Sequence, residues 1–252
     1  MTRQKPLISV ITPSYNAEEF IEKTIQSVLN QTFSDWEMII ADDCSTDGTR
    51  DILKRYEEDD ERIHAIFLKE NQGAAAARNA ALSKAEGRYV AFLDSDDLWK
   101  AEKLDKQLDF MRKHQHAFTF TAYELISQDG KPIHKTIHAP VSLTYDDVLK
   151  NTIIGCLTVM IDREQTGDIR MPNIRTRQDL ATWLSVLKRG FKAYGLNEPL
   201  AEYRIVETSI SRNKWKAAKK TWYVYREIER LHFMKATWCF VQYAKNAVKK
   251  RL

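Results

Sequence analysis

Three carboxylates crowd the segment YVAFLDSDDLW, residues 89–99. Asp94, Asp96 and Asp97 follow a five-residue apolar run of the kind that fills a sheet interior, with only Ser95 among them. Carboxylates this close repel one another unless something positive sits between them. Asp94 and Asp96, at i and i+2 of an extended chain, point to the same side. They offer the oxygen ligands that suit Mg2+ or Mn2+, ions that keep waters and take substrate phosphates in their remaining positions. The plainer alternative is an acidic turn capping a helix that begins near Leu98. Other residues of ligand type stand elsewhere. TPSYN, residues 12–16, places Pro13 beside Tyr15, whose ring can stack on a base or pack in the core. ADDCSTDGT, residues 41–49, brings Asp42 and Asp43 to a point where a carboxylate can accept a hydrogen bond from a uracil N–H, while Ser45 and Asp47 cap the next helix. GAAAARNAAL, residues 73–82, carries one charged side chain, Arg78, a partner for one of those two aspartates.

The elements that must position these residues follow from the pattern. LISVIT reads as a strand. Asn16 with Glu19 forms a capping-box pattern ahead of apolar Phe20, Ile21, Ile25, Val28 and Leu29 at helical spacing. WEMIIADD is a second strand and GTRDILKRYEED a second helix; IHAIFL is a third strand, GAAAARNAALSKA a helix stopped by Gly87, and RYVAFLD a fourth strand. Alternating strands and helices predict an α/β fold with a mostly parallel, Rossmann-like sheet, whose ligands gather at the carboxyl ends of the strands. The polar clusters fall at those ends. Beyond residue 110, AFTFTAYELI and KPIHKTI flank SQDG as a hairpin, CLTVMID is a strand, QDLATWLSVLKRG is a helix ending at Gly190, and AYGL and LAEYRI are two short strands.

At 252 residues the chain can bury a sizeable core, and with 43% hydrophobic and 29% charged residues it is not globally disordered. Three distant cysteines, Cys44, Cys156 and Cys239, suit a reducing cytosol and argue against a disulfide framework or a zinc cluster. No signal peptide precedes PLISVITPSYN, and the apolar runs are too short to span a bilayer. No G-x-G-x-x-G follows the first strand and no Walker-type loop occurs, so neither a dinucleotide site nor a P-loop is expected.

SVITPSYNAEEFIEKTIQSVLNQTFSDWEMIIADDCSTDGT, NQGAAAARNAAL and RYVAFLDSDDLW, in that order, resemble the nucleotide-binding half of the inverting family 2 glycosyltransferases, from about Leu7 to Asp109. The resemblance implies the GT-A fold and a nucleotide-diphosphate-sugar donor, here a UDP-sugar. By that resemblance Pro13, Tyr15 and Asp43 hold the uracil with Arg78 nearby, Asp94 meets the ribose, and Asp96 binds the Mn2+ or Mg2+ that bridges the diphosphate; Asp97 receives no role. Inverting transfer needs a base on the opposite face from the leaving group. The family places an acid at the start of a helix in the second half, and TRQDLATWL supplies Asp179 there, with Gln178 where a first acid commonly stands. A helix cap is the alternative role for Asp179. EYRIVETSISRNK is similar to the family's Tyr-Arg segment, without its usual histidine. Processive relatives carry Q-x-x-R-W and transmembrane helices; this chain has neither in its sequence, which implies one sugar added per encounter.

The expected organisation is a catalytic domain over residues 1–211, split into a nucleotide-sugar half, 1–109, and an acceptor half, 110–211, followed by a tail, 212–252. The tail holds twelve Lys or Arg against Glu227 and Glu229, a balance of +10 within a net +4 for the chain. Trp215, Ala218, Trp222, Tyr225, Ile228, Leu231, Met234, Trp238, Val241, Ala244 and Val248 recur every three or four residues as an amphipathic stripe, broken into two helices or kinked near His232. Such a tail either packs on the domain or lies on an anionic membrane surface. The whole chain is most similar to glycosyltransferases of cell-wall polymer synthesis, teichuronic acid enzymes among them. That implies a lipid-linked saccharide acceptor and a cytoplasmic protein peripheral on the inner face of the membrane. A sugar nucleotidyltransferase would want a glycine-rich, basic loop after the first strand, which TPSYNAEEF is not. A nucleic-acid-binding protein would leave the D-x-D cluster and Asp179 without a purpose, so no nucleic acid is expected as a partner.

Overall fold

The computed structural model describes residues 5–206 and 214–249. Four strands build the first half: β1 (Ile8–Ser14), β2 (Trp36–Asp42), β3 (Ile63–Phe67) and β4 (Tyr89–Phe92). Between them run α1 (Ile21–Leu29), α2 (Thr49–Asp59) and α3 (Ala74–Leu82). After the acidic turn come β5 (Leu98–Trp99), α4 (Lys103–His114), and the hairpin β6 (Phe118–Ile126) and β7 (Pro132–Ile137). Then follow β8 (Ser142–Leu143), α5 (Tyr145–Lys150), a 3₁₀ turn Cys156–Thr158, β9 (Met160–Asp162), α6 (Arg163–Thr166), α7 (Gln178–Lys188) and β10 (Ala193–Arg204).

The sheet runs β3-β2-β1-β4-β9-β6-β10-β5, with β7 on β6 and β8 on β10. Pairings among β1 to β4 are parallel, as the alternating pattern predicts. The second half is mixed: β9 lies antiparallel between β4 and β6, while β6 and β10 are parallel. Strand alternation sorts the core onto two faces. Ile8, Val10, Met38, Ile40, Tyr89 and Ala91 face α1, α2 and α4. Ile11, Ile39, Ala41, Val90 and Phe92 face α3, α5, α7 and the tail.

Several local expectations are corrected. Asn16 caps no helix: its backbone is left-handed at φ 47°, and its side-chain oxygen accepts from Thr46 N at 2.9 Å, tying the ends of β1 and β2. Phe20 precedes α1 without a side-chain cap. The alanine-rich helix ends at Leu82, not at Gly87, whose role is close approach: a Cβ there would stand 2.6 Å from Ser9 N on β1. AYGL and LAEYRI are one strand, β10, with register shifts around Pro199. No helix starts at Leu98, since β5 pairs with β10 and α4 begins at Lys103. The acidic turn therefore does not serve as a helix cap.

The tail breaks near His232 as the spacing predicts. Helix α8 (Lys214–Tyr223) continues into a π turn, Val224–Ile228, and α9 (Phe233–Lys249) follows. The predicted stripe does not form one buried face. Tyr225 and Leu231 are buried, but in α9 the buried residues are Ala236 and Cys239, with Phe240 packed beside them. Met234, 75% exposed, and Trp238, 60% exposed, face outward with Phe233 and Val241. A helix turning 100° per residue cannot keep a 3.3-residue stripe on one side. The tail rests on α5 through the Lys235–Asp146 ion pair at 2.9 Å and the bond from Asn246 Nδ2 to Lys150 O at 3.0 Å. The later serines of EYRIVETSISRNK lie outside the described residues.

Candidate active site

Parallel register brings the carboxyl ends of β1, β2 and β4 side by side, pairing Ser14 with Asp42 and Ile11 with Phe92. Pro13 is buried at the end of β1, and Tyr15, just past it, is 51% exposed, so its ring is open for stacking rather than packed in the core. Of the two aspartates ending β2, Asp42 is structural: it pairs with Arg50 at 2.7 Å and accepts from the Ser45 hydroxyl. Ser45 is thus not a cap of α2, while Asp47 accepts from Thr49 N at 3.1 Å and from Glu18 N. Asp43 is buried and accepts from Gln72 N at 2.8 Å and Gly73 N at 2.7 Å, fixing the start of α3. Each of its oxygens retains a lone pair for a base N–H.

Arg78 pairs with Asp94, not with Asp42 or Asp43. Its small neighbours let α3 lie close on the sheet, so the guanidinium is buried. Burial alone would lower its pKa, but the charge of Asp94, with a smaller part from Asp179, holds it above the usual range. Arg78 Nε and Nη1 have no acceptor, two buried donors beside the acidic turn.

Two arginines therefore tie down the acidic turn, Arg78 by pairing with Asp94 and Arg204 mainly through the backbone. Arg204, at the end of β10, donates from its backbone N to Asp97 Oδ1 at 2.8 Å, and from its side chain to Asp96 O at 2.7 Å and Gln128 O at 2.8 Å. Asp97, only 1% exposed, thus fastens β10 to the turn, while Thr24 Oγ1 lies 2.9 Å from the carbonyl oxygens of both Ser95 and Asp97. The Asp96 carboxylate is left out of these ties. Burial, then repulsion from Asp94, push it up to about 6. An acid destabilised in this way, beside a second acid, fits a divalent cation, which would reverse the shift. Among the described residues no three His, Cys, Asp or Glu converge as ligands.

Asp179 sits in the first turn of α7. The residue ahead of that helix is Arg177, in the left-handed region at φ 66°, and no side chain caps the helix. Asp179 instead lines a cavity of about 260 Å³ together with Asp94, Tyr123, Arg177, Trp183 and Tyr203. The cavity brings Asp94 from the first half and Asp179 from the second to one space; Pro13, Tyr15, Asp43 and Asp96 lie outside its lining. Burial and the neighbouring Tyr203 push Tyr123 up to about 12, so it remains a neutral phenol. Trp99 donates from its indole N–H to Leu157 O at 2.8 Å, holding the 3₁₀ turn that forms one wall, and burial pushes the Cys156 thiol in that wall up. Sequence reasoning missed Tyr123, Arg177, Trp183 and Cys156. Of these only Arg177, two residues before Asp179, carried a signal in its position.

Residues 9–172 match the model of glycosyl transferase family 2. The chain is 75% identical over its full length, and the full length of the relative, to the putative teichuronic acid biosynthesis glycosyltransferase TuaG of Bacillus subtilis (strain 168). It is 40% identical, over 90% of each chain, to the UDP-Glc:alpha-D-GlcNAc-diphosphoundecaprenol beta-1,3-glucosyltransferase WfgD of Escherichia coli. The crystal structure of S. aureus TarS 1-349 in complex with UDP-GlcNAc superposes with a TM-score of 0.72 at 20% identity, covering 95% of this chain and 72% of that one, a likeness of fold. The mannosyltransferase PcManGT from Pyrobaculum calidifontis, in complex with GDP-Man and Mn2+, gives a TM-score of 0.68 at 17% identity, over 98% and 75% of the two chains. With the expected GT-A architecture carrying the acidic turn at the end of β4 and Asp179 lining one cavity with Asp94, the chain belongs to glycosyl transferase family 2.

Proposed function

We propose that the chain transfers one sugar per encounter from a UDP-sugar, with inversion, to a lipid-linked saccharide during synthesis of a cell-wall or surface polysaccharide. The observation that carries this reading is the shared cavity of Asp94 and Asp179, which sets a donor-side acid and a candidate base around a single small space. Pro13, Tyr15 and Asp43 cradle the uracil, and Asp94, held by Arg78, orients the ribose. Asp179 takes the proton from the acceptor hydroxyl as it attacks the anomeric carbon opposite the diphosphate. Asp96, next to Asp94, would hold Mn2+ or Mg2+, which supplies Lewis-acid stabilisation of the leaving diphosphate. The buried donors of Arg78 add positive potential at the same place.

The names of the relatives support the pathway class: one is a putative teichuronic acid enzyme, and the other transfers glucose from UDP-Glc to a diphosphoundecaprenol-linked sugar. Family membership sets aside the nucleotidyltransferase and nucleic-acid-binding alternatives. Among the described residues no helix is long and apolar enough to cross a membrane. The outward face of α9, with Phe233, Met234, Trp238 and Val241 beside exposed Arg230, Lys235 and Lys245, suits a peripheral contact with the anionic inner surface, the location at which a lipid-linked acceptor is met.

Incubation with labelled UDP-sugars and Mn2+ tests the reaction. UDP release, with transfer of label to a lipid-linked acceptor and inverted anomeric configuration in the product, is expected. Release of pyrophosphate, or transfer with retention, would contradict the proposal.

A further inference from the structure

Arg177 lines the same cavity as Asp179, two residues ahead of it. Its φ of 66° is a conformation that a non-glycine residue adopts only under constraint from its surroundings. Arg78, the other guanidinium near this space, is paired with Asp94. Arg177 has no carboxylate partner among the described residues. Its Nη2 donates to the hydroxyl of Tyr243 at 3.0 Å, and the guanidinium carbon lies 5.9 Å from that ring's centre. Tyr243 is on α9, anchored one turn on by Asn246 to Lys150 O. A neutral phenol orients a guanidinium but does not neutralise it, so half-buried Arg177 brings a positive charge with no ion-pair partner among the described residues to a lining that also holds Asp94 and Asp179. A second donor in the same wall lacks an acceptor: Nε1 of Trp183, whose side chain is 1% exposed. Val148, Ile153 and Ile154 line the cavity as well, so beside Asp94 and Asp179 the lining sets one cation, Arg177, against hydrocarbon.

We infer that Arg177, oriented by Tyr243, binds phosphate oxygens of the acceptor, a diphosphate carried on a hydrocarbon chain. The inference rests on the proposed glycosyl transfer, because Asp179 marks the side from which the acceptor hydroxyl arrives. It also gives the tail a part in the site: α9, packed on α5, sets the guanidinium that meets the acceptor. Tyr243 is a positioning residue, acting through Arg177.

Binding of geranyl diphosphate to the full chain, saturated with UDP and Mn2+ so that the donor's diphosphate site is filled, tests the inference by calorimetry. Arg177→Gln should weaken geranyl diphosphate by ~10–100-fold, the worth of a hydrogen bond to a charged group, while the affinity for UDP stays as it was. Arg177→Lys should restore part of the loss, since it keeps the charge without the fork. Tyr243→Phe removes one hydroxyl from an otherwise intact chain and should give a smaller loss in the same titration. That variant carries the test if Arg177→Gln fails to fold. Equal affinity in Arg177→Gln and the unaltered protein, or no binding of geranyl diphosphate to the UDP-loaded protein, overturns the inference. A parallel loss of UDP affinity also overturns it, by placing Arg177 on the donor side. Failure of the unaltered protein to bind UDP would instead remove the donor reading on which the inference stands.

Discussion

Asp96 is the residue whose environment makes the most specific demand. Its folded value of about 6, against an ordinary 3.8, means that between these values the folded protein binds more protons than the unfolded chain. The contribution of this group to stability therefore falls as pH rises through that window. Without metal, Asp96→Asn should raise the melting temperature at about pH 8 and do so less at about pH 5. Binding of Mn2+ requires the ionised form, so Mn2+ affinity measured with UDP should weaken below about pH 6 and collapse in Asp96→Asn. A melting temperature difference that ignores pH would contradict the assignment. Asp179 makes the complementary demand. Because it caps no helix, Asp179→Asn should leave thermal stability and UDP affinity in place while kcat falls by ~10²–10⁴, the worth of a general base. A collapse of donor affinity with kcat intact would make Asp179 a donor contact.

At the scale of elements, the acidic turn depends on a strand more than one hundred residues away. β10 ends in Arg204, whose guanidinium donates to the carbonyls of Asp96 and Gln128 and whose backbone meets Asp97. Arg204→Leu leaves these half-buried carbonyls without their charged donor and should cost ~2 kcal/mol in chemical denaturation. It should also weaken Mn2+ binding with UDP, since the backbone that carries Asp96 loses its tie. Lost stability with Mn2+ affinity retained would limit Arg204 to a structural role. The same dependence explains why a D-x-D turn could be recognised in the sequence while its partners could not: β5, β6 and β10 meet only through the mixed part of the sheet.

At the scale of the whole molecule, the tail both packs and presents. Deletion from Lys235 onward removes Ala236, Cys239, Tyr243 and Asn246 from their contacts and should lower the melting temperature of the entire protein. Met234→Ser with Trp238→Ser alters only outward side chains and should leave the melting temperature near its original value. If α9 docks on the membrane, flotation with liposomes should need anionic lipid, at on the order of 1 kcal/mol per Lys or Arg near the surface. It should weaken with salt, and drop further in this double variant. Binding to liposomes that is equal in the double variant and the original would restrict the tail to packing.

The first hundred residues were legible because their signals are local. Apolar runs of strand length, helical spacing, and acids or aromatics at strand ends declare a parallel α/β unit and the end at which its ligands sit, whatever lies elsewhere in the chain. The +10 balance of the tail and its break near His232 were legible for the same reason. What the linear chain did not contain were choices among equivalent partners. Arg78 could meet any nearby aspartate, and only the distance from α3 to the end of β4 selected Asp94. Asn16 had the pattern of a cap, but the loop after β2 offered its side-chain oxygen a donor, Thr46 N, in place of the free N–H groups of helix α1. The tail stripe is periodic in sequence, yet which of its residues are covered depended on where α5 stands against α9. Burial and ion pairing are set by the surfaces that come together, so they were decided only when the mixed second half of the sheet brought α5, α7 and the tail against the parallel first half.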